Sequence, residues 1–190
     1  TNKVESTLDY GQKTKDNDTD EIVTEVSKGS VTAKYEDESG KTLLDSVTTT
    51  GLVDTEYKTT EKDIYGYTLE KVEGNKTGKY TKEAITVTYV YSKNEGTTEK
   101  NEVVKEGPET VTSATGEFNY TLKYTGKITD YVGTATLTLK DILPYELDLD
   151  KSSYDDRCTY DNKVLTCTEN YEIDENNQTI ILECLYRIKE

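Results

Sequence analysis

Histidine, tryptophan and methionine are absent from the 190 residues of this sequence. Without histidine, a serine or cysteine nucleophile lacks its usual general base, and zinc lacks its commonest nitrogen ligand. These absences argue against most hydrolase mechanisms and most zinc sites. We therefore expect a protein that is not an enzyme, with no catalytic residues, no metal and no cofactor.

Basic charge and long apolar runs are also scarce. The chain has 23 lysines and arginines against 38 aspartates and glutamates, which gives a formal net charge of −15. A field of this sign repels phosphate backbones and anionic lipids. No apolar run approaches the roughly 18 residues that a membrane-spanning helix needs. We therefore expect neither a nucleic acid nor a membrane as a partner.

The acidic residues leave two kinds of site to consider. Two facing carboxylates about 5–10 Å apart could hydrolyse a glycosidic bond, but chance pairs are expected among 38 acids. Asp16, Asp18 and Asp20 have the 1-3-5 spacing of a calcium-binding loop. A complete loop is excluded because Glu21 stands where glycine is needed and Ser27 stands where a bidentate glutamate is needed. A looser calcium site between domains stays an alternative.

Tyrosine is the main source of apolar surface in this polar sequence. Hydrophobic and charged residues each make up 32% of the chain, and 16 residues are tyrosine. A buried tyrosine contributes a large apolar ring, and tyrosine and threonine both favour strands. We therefore predict an ordered all-β protein with thin cores.

Alternation of apolar and polar residues supports this fold class. A period of two places every second side chain on one face of a strand. The segments with this period are VTAKY at 31–35, ITVTYVY at 85–91, FNYTLKY at 118–124, TATLTLK at 134–140 and IILECLYRI at 180–188. No window has a sustained helical period, so we expect only a minor α component, such as one turn near DILPYEL at 141–147.

Composition divides the chain into four sections. Residues 1–29 contain one short alternating stretch and an acidic linker, residues 30–93 form a compact block of strands, residues 94–101 are a polar linker, and residues 102–190 form a second block. We expect the sequence to be a piece of a longer, repetitive protein.

The three cysteines all lie in the second block. A short turn in CTYDNKVLTC would place Cys158 across from Cys167, close enough for a disulfide. Cys167 with Cys184 is the competing pair, and three reduced thiols are the third alternative. Cys184 lies on the apolar face of its strand, so we expect it to be buried and inert.

Residues 30–93 resemble the MucBP (mucin-binding protein) repeat of Gram-positive surface proteins. The resemblance is carried by VTAKYEDESGKTL at 31–43, TTTGLVDTEYKT at 48–59, DIYGYTLEKVEGNKTGKYT at 63–81 and ITVTYVYSK at 85–93. It implies a small β-grasp-like fold, a place in a tandem array and binding of host mucin glycans.

The resemblance also sorts the tyrosines. Those in positions of core aromatics, which we expect to be buried, are Tyr67, Tyr80, Tyr89 and Tyr91. Tyr65 stands where the family usually has proline, and we expect Tyr65 and Tyr57 to be exposed. With Asn75 and Thr77 they form our candidate ligand-binding set, because an aromatic face packs on sugar C–H groups while amides and hydroxyls form hydrogen bonds.

Residues 102–190 resemble an immunoglobulin-like β-sandwich of stalk proteins, through GPETVTSATGEFNYTLKYTGKITDYVGTATLTLKDILPYELDLD at 107–150. TNKVESTLDYG at 1–11 resembles the last strand of such a sandwich, and the second block stops before its own last strand. We therefore expect that residues 1–10 could fill an open sheet edge of a neighbouring copy.

These expectations combine into one functional hypothesis. The chain is a non-enzymatic fragment of an adhesin attached to the cell wall outside a Gram-positive bacterium, and its MucBP-like module binds host mucin glycoprotein or another glycan. Repeated weak sites would gain avidity from multivalency. The alternative is a purely structural spacer with no ligand of its own.

Overall fold

The computed structural model describes residues 2–6, 9–10, 13–14, 18–22, 25–109 and 116–189. Position 16 and the side chains at positions 18 and 20, which suggested a calcium site, lie outside the described part of the structure.

Strands dominate the described residues, and the all-β fold class is confirmed. The first ten strands are β1 (Asn2–Ser6), β2 (Asp9–Tyr10), β3 (Lys13–Thr14), β4 (Asp18–Ile22), β5 (Lys28–Asp37), β6 (Thr42–Leu52), β7 (Glu56–Lys58), β8 (Tyr67–Glu73), β9 (Thr77–Lys79) and β10 (Ile85–Lys93). The others are β11 (Thr97–Glu106), β12 (Glu117–Thr129), β13 (Gly133–Ile142), β14 (Asp148–Leu149), β15 (Cys158–Asp161), β16 (Val164–Ile173) and β17 (Thr179–Lys189).

The minor α component that we expected is not found in the described part of the chain, where no helix forms. The segment at 141–147 contains a turn instead, in which the Leu147 N–H donates to the Pro144 carbonyl at 3.1 Å. Proline lacks a backbone N–H and disfavours a helical residue before it, so this segment makes a single tight turn.

The strands of the described residues form six sheets. One four-stranded sheet has the order β6-β5-β10-β8, and a second has the order β11-β12-β17-β14. A three-stranded sheet has the order β13-β16-β15, and three two-stranded pairs are β1-β4, β2-β3 and β7-β9. Antiparallel pairing, as expected for strands with one polar face, joins β1 to β4, β2 to β3, β7 to β9, β11 to β12, β12 to β17, β14 to β17, β13 to β16 and β15 to β16.

The contacts divide the chain into two compact units. The first unit holds the described residues up to Glu36, together with Leu44–Glu61 and Val72–Tyr89. The second unit holds Asp37–Leu43, Lys62–Lys71 and the described residues from Val90 onward.

The core of the first unit is built largely from tyrosine. Its buried hydrophobic residues are Val31, Ala33, Tyr35, Tyr57, Tyr80, Val87 and Tyr89. The alternation of VTAKY is confirmed, because Val31, Ala33 and Tyr35 are buried while Lys34 is exposed. Tyr35 and Tyr89 stack with their ring centroids 5.5 Å apart.

The second unit contains two sheets that share one core. Strand β12 pairs with β17 from Glu117↔Lys189 to Lys127↔Thr179, and β13 pairs with β16 from Gly133↔Ile173 to Ile142↔Val164. The alternation of IILECLYRI is confirmed, because its inward residues are buried. The shared core consists of Leu122, Leu139, Leu143, Leu149, Cys158, Leu165, Cys167, Leu182, Cys184, Tyr186 and Ile188.

Part of the segment that we expected to be a linker is a strand. Strand β11 begins at Thr97 and pairs with β12, with a break in register between Glu99 and Glu102. Lys100 lies at this break with a φ of 54°. The side chains of residues 97–103 are exposed, so no buried face produces an apolar pattern by which the strand could be recognised in the sequence.

Within the described residues, no helix has the length and apolar character needed to cross a membrane.

Candidate functional site

Three of the four candidate ligand-binding residues lie on or beside the β7-β9 ribbon of the first unit. Tyr57 of β7 is paired with Gly78 of β9, and Lys58 is paired with Thr77. Asn75 lies just before β9. An open cavity of about 480 Å³, which we call the ribbon hollow, is lined by Glu56, Tyr57, Lys58, Thr77, Gly78 and Lys79.

Tyr57 is buried, so our expectation that it is exposed was wrong. Only 7% of the residue is accessible. Its ring lies over Gly78, where an added Cβ atom would stand 2.9 Å from the ring, and it packs at 5.7 Å against Tyr80. The Tyr57 hydroxyl donates to the carbonyl of Asn75 at 3.1 Å. Tyr57 therefore contributes the wall of the hollow and not a free ring face.

The start of β9 and the residues just before it present polar side chains beside this wall. Asn75 and Thr77 are both exposed. The carbonyl of Lys76, between them, accepts hydrogen bonds from the backbone N–H of Thr59 at 2.8 Å and from its hydroxyl at 3.2 Å. The backbone that carries Asn75 and Thr77 is thus tied to β7 and its continuation, while their side chains remain accessible.

The hollow has the opposite charge sign to the whole chain. Two lysines, Lys58 and Lys79, line it against one glutamate, Glu56, whereas the chain carries −15. Nearby, Glu61 accepts a hydrogen bond from Lys76 at 3.0 Å. The pKa of Glu61 is lowered, first by its own backbone N–H and then by Lys76. Glu61 therefore stays ionised, but the lining itself, with two lysines and one glutamate, suits an acidic ligand better than the average surface does.

Tyr65, the fourth candidate, belongs to the second unit. It is half-buried, and its hydroxyl accepts hydrogen bonds from the Asp130 N–H at 2.7 Å and from Gln178 Nε2 at 3.0 Å. Asp130 also accepts from Asn94 Nδ2 at 2.8 Å and from the Gly66 N–H at 3.3 Å. The polar end of Tyr65 is therefore already engaged by other residues of its own unit.

The tyrosines that we expected in the core are buried with one exception. Tyr80, Tyr89 and Tyr91 are at most 8% exposed. Tyr67 is only half-buried, so that expectation was too strong. Tyr67 directly follows Gly66, which has a φ of 74°, and it is the first residue of strand β8.

The cysteines form one compact cluster in the second unit. Cys158 is bonded to Cys167, and these residues are opposite each other in the β15-β16 pair. Cys184 is a buried free thiol. The three sulfur atoms lie within 4.8 Å of one another. Because two of them are bonded to each other, only one thiol is left as a donor, and one thiol does not make a metal site.

Sequence reasoning missed one buried polar cluster. Asp141 is 8% exposed and accepts hydrogen bonds from Lys105 Nζ at 2.8 and 2.9 Å and from the Tyr186 hydroxyl. Burial and this carboxylate raise the pKa of Tyr186. Lys105 also lies 5.1 Å from the centre of the Tyr120 ring. No local pattern marked Lys105, because its pairing opposite Leu122, on the inward face, depends on the strand register.

Comparison with known protein families identifies part of the chain. Residues 30–92 match the MucBP domain. The resemblance seen in the sequence is thereby confirmed over this segment. The MucBP segment contains the whole ribbon hollow and all four candidate residues.

Relatives of this segment occur in much larger proteins. Internalin J of Listeria monocytogenes serovar 1/2a is 48% identical over 67 residues, which are 35% of this chain and 8% of internalin J. Internalin J of serotype 4b is 48% identical over 64 residues, which are 34% of this chain and 7% of that protein. Internalin I of serovar 1/2a is 42% identical over 66 residues, which are 35% of this chain and 4% of internalin I. The chain therefore spans less than a tenth of each of these relatives, and the similarity concerns one repeat-sized segment.

Proposed function

We propose that this chain is a non-enzymatic part of a bacterial surface adhesin, in which residues 30–93 bind a mucin glycan at the ribbon hollow. The observation that carries the proposal is the composition of this hollow. Tyr57 and Thr77 both line it, and the exposed Asn75 lies just before β9 beside it. All of these groups lie in the segment that matches the MucBP domain.

The charge of the hollow indicates which glycans it should prefer. Lys58 and Lys79 can form charge-assisted hydrogen bonds with a carboxylate or sulfate group of a sugar. The rest of the chain is strongly acidic and would repel the same group. Binding of an acidic mucin sugar would therefore depend on these two lysines, and the weak affinity of one site would be raised by tandem copies.

A glycan array probed with the 190-residue chain clustered on beads tests this proposal. Replacing Lys58 and Lys79 together by alanine should weaken binding to acidic glycans about fivefold or more, because two charge-assisted contacts are lost. Lys82→Ala is the matched control, since Lys82 is an exposed lysine of the same unit that does not line the hollow. Thr77→Ala should weaken binding to acidic and neutral glycans alike.

Two results would contradict the proposal. One is no binding to any glycan by the clustered chain, and the other is an equal loss of binding in the Lys82→Ala control. The first result would favour the structural alternative, in which the chain is a spacer without its own ligand.

The hydrogen bonds of Tyr65 favour a structural role over a ligand-binding role for this residue. Its hydroxyl accepts from Asp130 and Gln178, so it is occupied within the second unit. If Tyr65 serves the fold alone, Tyr65→Phe should lower the melting temperature and leave glycan binding unchanged. If the Tyr65 ring packs on the ligand, Tyr65→Ala should weaken binding at temperatures where the chain stays folded, whereas Tyr65→Phe, which keeps the ring, should not.

We also propose that the chain acts outside a Gram-positive cell, attached to the cell wall. The match to the MucBP domain and the similarity to internalins of Listeria monocytogenes support this location. Detection of the parent protein in a cell-wall fraction, and its release by a muralytic enzyme, would test it. Recovery only from the cytoplasm would contradict it.

We further propose that residues 1–10 of one copy can pair with an open sheet edge of a neighbouring copy. In the described residues, β17 pairs with β14 only at Ile188 and Lys189, so most of that side of β17 is not covered by a strand. Within one chain, β1 instead pairs with β4, so exchange must displace that pair. Light scattering over a range of concentrations tests the exchange, which predicts dimers that disappear when residues 1–10 are deleted. A monomer at all concentrations would contradict it.

A further inference from the structure

We infer that the three cysteines of the second unit form a thiol–disulfide exchange site, in which Cys184 can take over the bond that now joins Cys158 to Cys167. The three sulfur atoms lie within 4.8 Å of one another in the shared core. Exchange needs a free thiol beside a disulfide, and both are present here.

Because the three cysteines lie on strands of both sheets, the exchange would change which strands are covalently joined. Cys158 and Cys167 lie on neighbouring strands of the β13-β16-β15 sheet, so their bond stays within one sheet. Cys184 lies on β17 of the other sheet, paired opposite Leu122. A bond between Cys167 and Cys184 would therefore join the two sheets covalently. The sandwich could then no longer open between β16 and β17 without breaking that bond.

Two side chains hold these sheets at the required distance. Arg157, which precedes Cys158, donates to the Glu169 carboxylate on β16 at 2.7 Å and to the Glu183 carbonyl on β17 at 3.1 Å. The Tyr171 hydroxyl, also on β16, donates to the Ile181 carbonyl on β17 at 2.7 Å. The Arg157 contact is next to Cys184 in the chain. The three sulfurs are therefore kept together by contacts that do not involve sulfur.

The reaction is balanced without any oxidant or reductant. The Cys184 thiol loses its proton, and its sulfur forms a bond to the Cys167 sulfur while the bond from Cys167 to Cys158 breaks. The Cys158 sulfur leaves as a thiolate and takes up a proton. Cys158 is the leaving sulfur in this step because attack of Cys184 on Cys167 is the exchange that joins β16 to β17. A released Cys158 thiol could donate to Asp155 Oδ1, which lies 3.7 Å from it.

The protonation of Cys184 sets the speed of the exchange. Burial raises the pKa of Cys184 to about 11, and Arg157 opposes this effect while Asp155, Glu169 and Glu183 add to it. The hydroxyls of Tyr171 and Tyr186 are the other titratable groups close to it. Only roughly one thiol in ten thousand is then ionised at pH 7, and this fraction rises about tenfold with each pH unit. The exchange should be slow at neutral pH and fast in mild alkali.

Mapping of the free thiol tests this inference directly. The oxidised 190-residue chain is held without denaturant at pH 7.5, 8.5 and 9.5, quenched in acid, and labelled with N-ethylmaleimide under denaturing conditions near pH 6. Digestion with trypsin and a glutamate-specific protease separates the cysteines into residues 158–163, 164–169 and 184–187. We expect the label on Cys184 at first and on Cys158 later, at a rate that rises about tenfold per pH unit and does not depend on protein concentration.

The Arg157→Gln variant distinguishes exchange in the folded core from exchange after unfolding. If the folded core presents Cys184 to the disulfide, loss of the Arg157 contacts should slow the appearance of label on Cys158. If exchange requires unfolding, the destabilised variant should exchange faster, which would overturn the inference. Label that stays on Cys184 at pH 9.5, over a time in which the chain scrambles in guanidinium chloride, would also overturn it. Cys184→Ser is the control that should show no label at any pH.

Discussion

The two units of this chain solve the problem of a polar composition in different ways. The first unit fills its core with tyrosines, of which Tyr35 and Tyr89 are at most 2% exposed. The second unit uses leucine, isoleucine and cysteine from two sheets, with Leu165 and Leu182 fully buried. Each buried tyrosine contributes a large ring but needs a hydrogen-bond partner for its hydroxyl, whereas aliphatic side chains need only close packing against one another.

The hydroxyl partners in the first unit show what this difference means. Tyr35 donates to the Thr60 carbonyl at 3.0 Å, Tyr80 donates to Thr49 Oγ1 at 3.0 Å, and Tyr89 shares a hydrogen bond of 2.8 Å with the Thr59 hydroxyl. Several of these bonds therefore reach from the core to the segments around the ribbon hollow. In the first unit, core packing and the geometry of the candidate site are coupled.

The largest expected effect is in the aliphatic core. Leu182→Ala should lower the free energy of unfolding by about 2–5 kcal/mol, because a fully buried leucine leaves a cavity. Leu185→Ala is the matched control on the same strand, since Leu185 is 61% exposed, and it should cost about 0.5 kcal/mol or less. Guanidinium unfolding measures both. Similar costs for the two variants would show that the sheets are not packed on each other.

A smaller loss is expected from the buried carboxylate of the same unit. Asp141→Ala should cost about 2 kcal/mol, because it leaves the Tyr186 hydroxyl without its acceptor and removes the partner of Lys105. Lys105→Met should cost less, since the carboxylate keeps Tyr186. Lys123→Met is the control, because Lys123 makes only an exposed ion pair with Glu183 at 3.7 Å. Thermal unfolding ranks the three, and equal losses in all of them would contradict this account.

The hydroxyl of Tyr89 tests the tyrosine core of the first unit. Tyr89→Phe keeps the ring and removes the hydrogen bond to Thr59, which should cost about 1 kcal/mol. Thr59 still donates to the Lys76 carbonyl, so the loss should not be larger. Tyr120→Phe is the control in the second unit, because its hydroxyl bond to Pro108 is exposed. Hydrogen exchange of each unit measures the two effects, and no loss for Tyr89→Phe would show that the ring alone stabilises the core.

Local alternation allowed much of the strand content to be predicted from the sequence. The segments that became β5, β10, β12, β13 and β17 all have a period of two, because one face of each strand packs in a core. Strand β11 was missed because its first residues are exposed on both faces. Alternation in the sequence therefore indicates burial of one strand face, and a strand that is exposed on both faces cannot be predicted from it.

The candidate site was harder to predict because its geometry depends on distant pairing. Tyr57 is buried because β9 places Gly78 beneath its ring, and nothing near Tyr57 in the sequence indicates that pairing. Tyr65 is engaged by Asp130 and Gln178, which are far from it in the chain. Asn75, just before β9, and Thr77, its first residue, are exposed because a short two-stranded ribbon has no covering layer at this end.

The smallest expected effects are changes in the pKa of two carboxyl groups, one in each unit, whose pKa values are lowered by different causes. The largest cause that lowers the pKa of Asp155, in the second unit, is the hydrogen bond from the Arg157 side chain, whereas the largest single cause for Glu61, in the first, is its own backbone N–H, followed by Lys76. Arg157→Gln should therefore move the Asp155 pKa most of the way back to its ordinary value near 3.8. Lys76→Gln should move the Glu61 pKa only part of the way to 4.5.

Carboxyl carbon NMR between pH 2 and 6 measures both titrations. A lowered carboxyl pKa stabilises the fold above the unfolded value, and this contribution is lost as the pH falls through the folded value. Both contributions should therefore begin to fall near the ordinary values of 3.8 and 4.5 and be lost as the pH passes below each lowered pKa, and each variant should lose part of this acid dependence at its own site. A full return of Glu61 to 4.5 in Lys76→Gln would show that the lysine, and not the backbone, sets the charge beside the ribbon hollow. That result would strengthen the case that lysines control which ligands this side of the ribbon can accept.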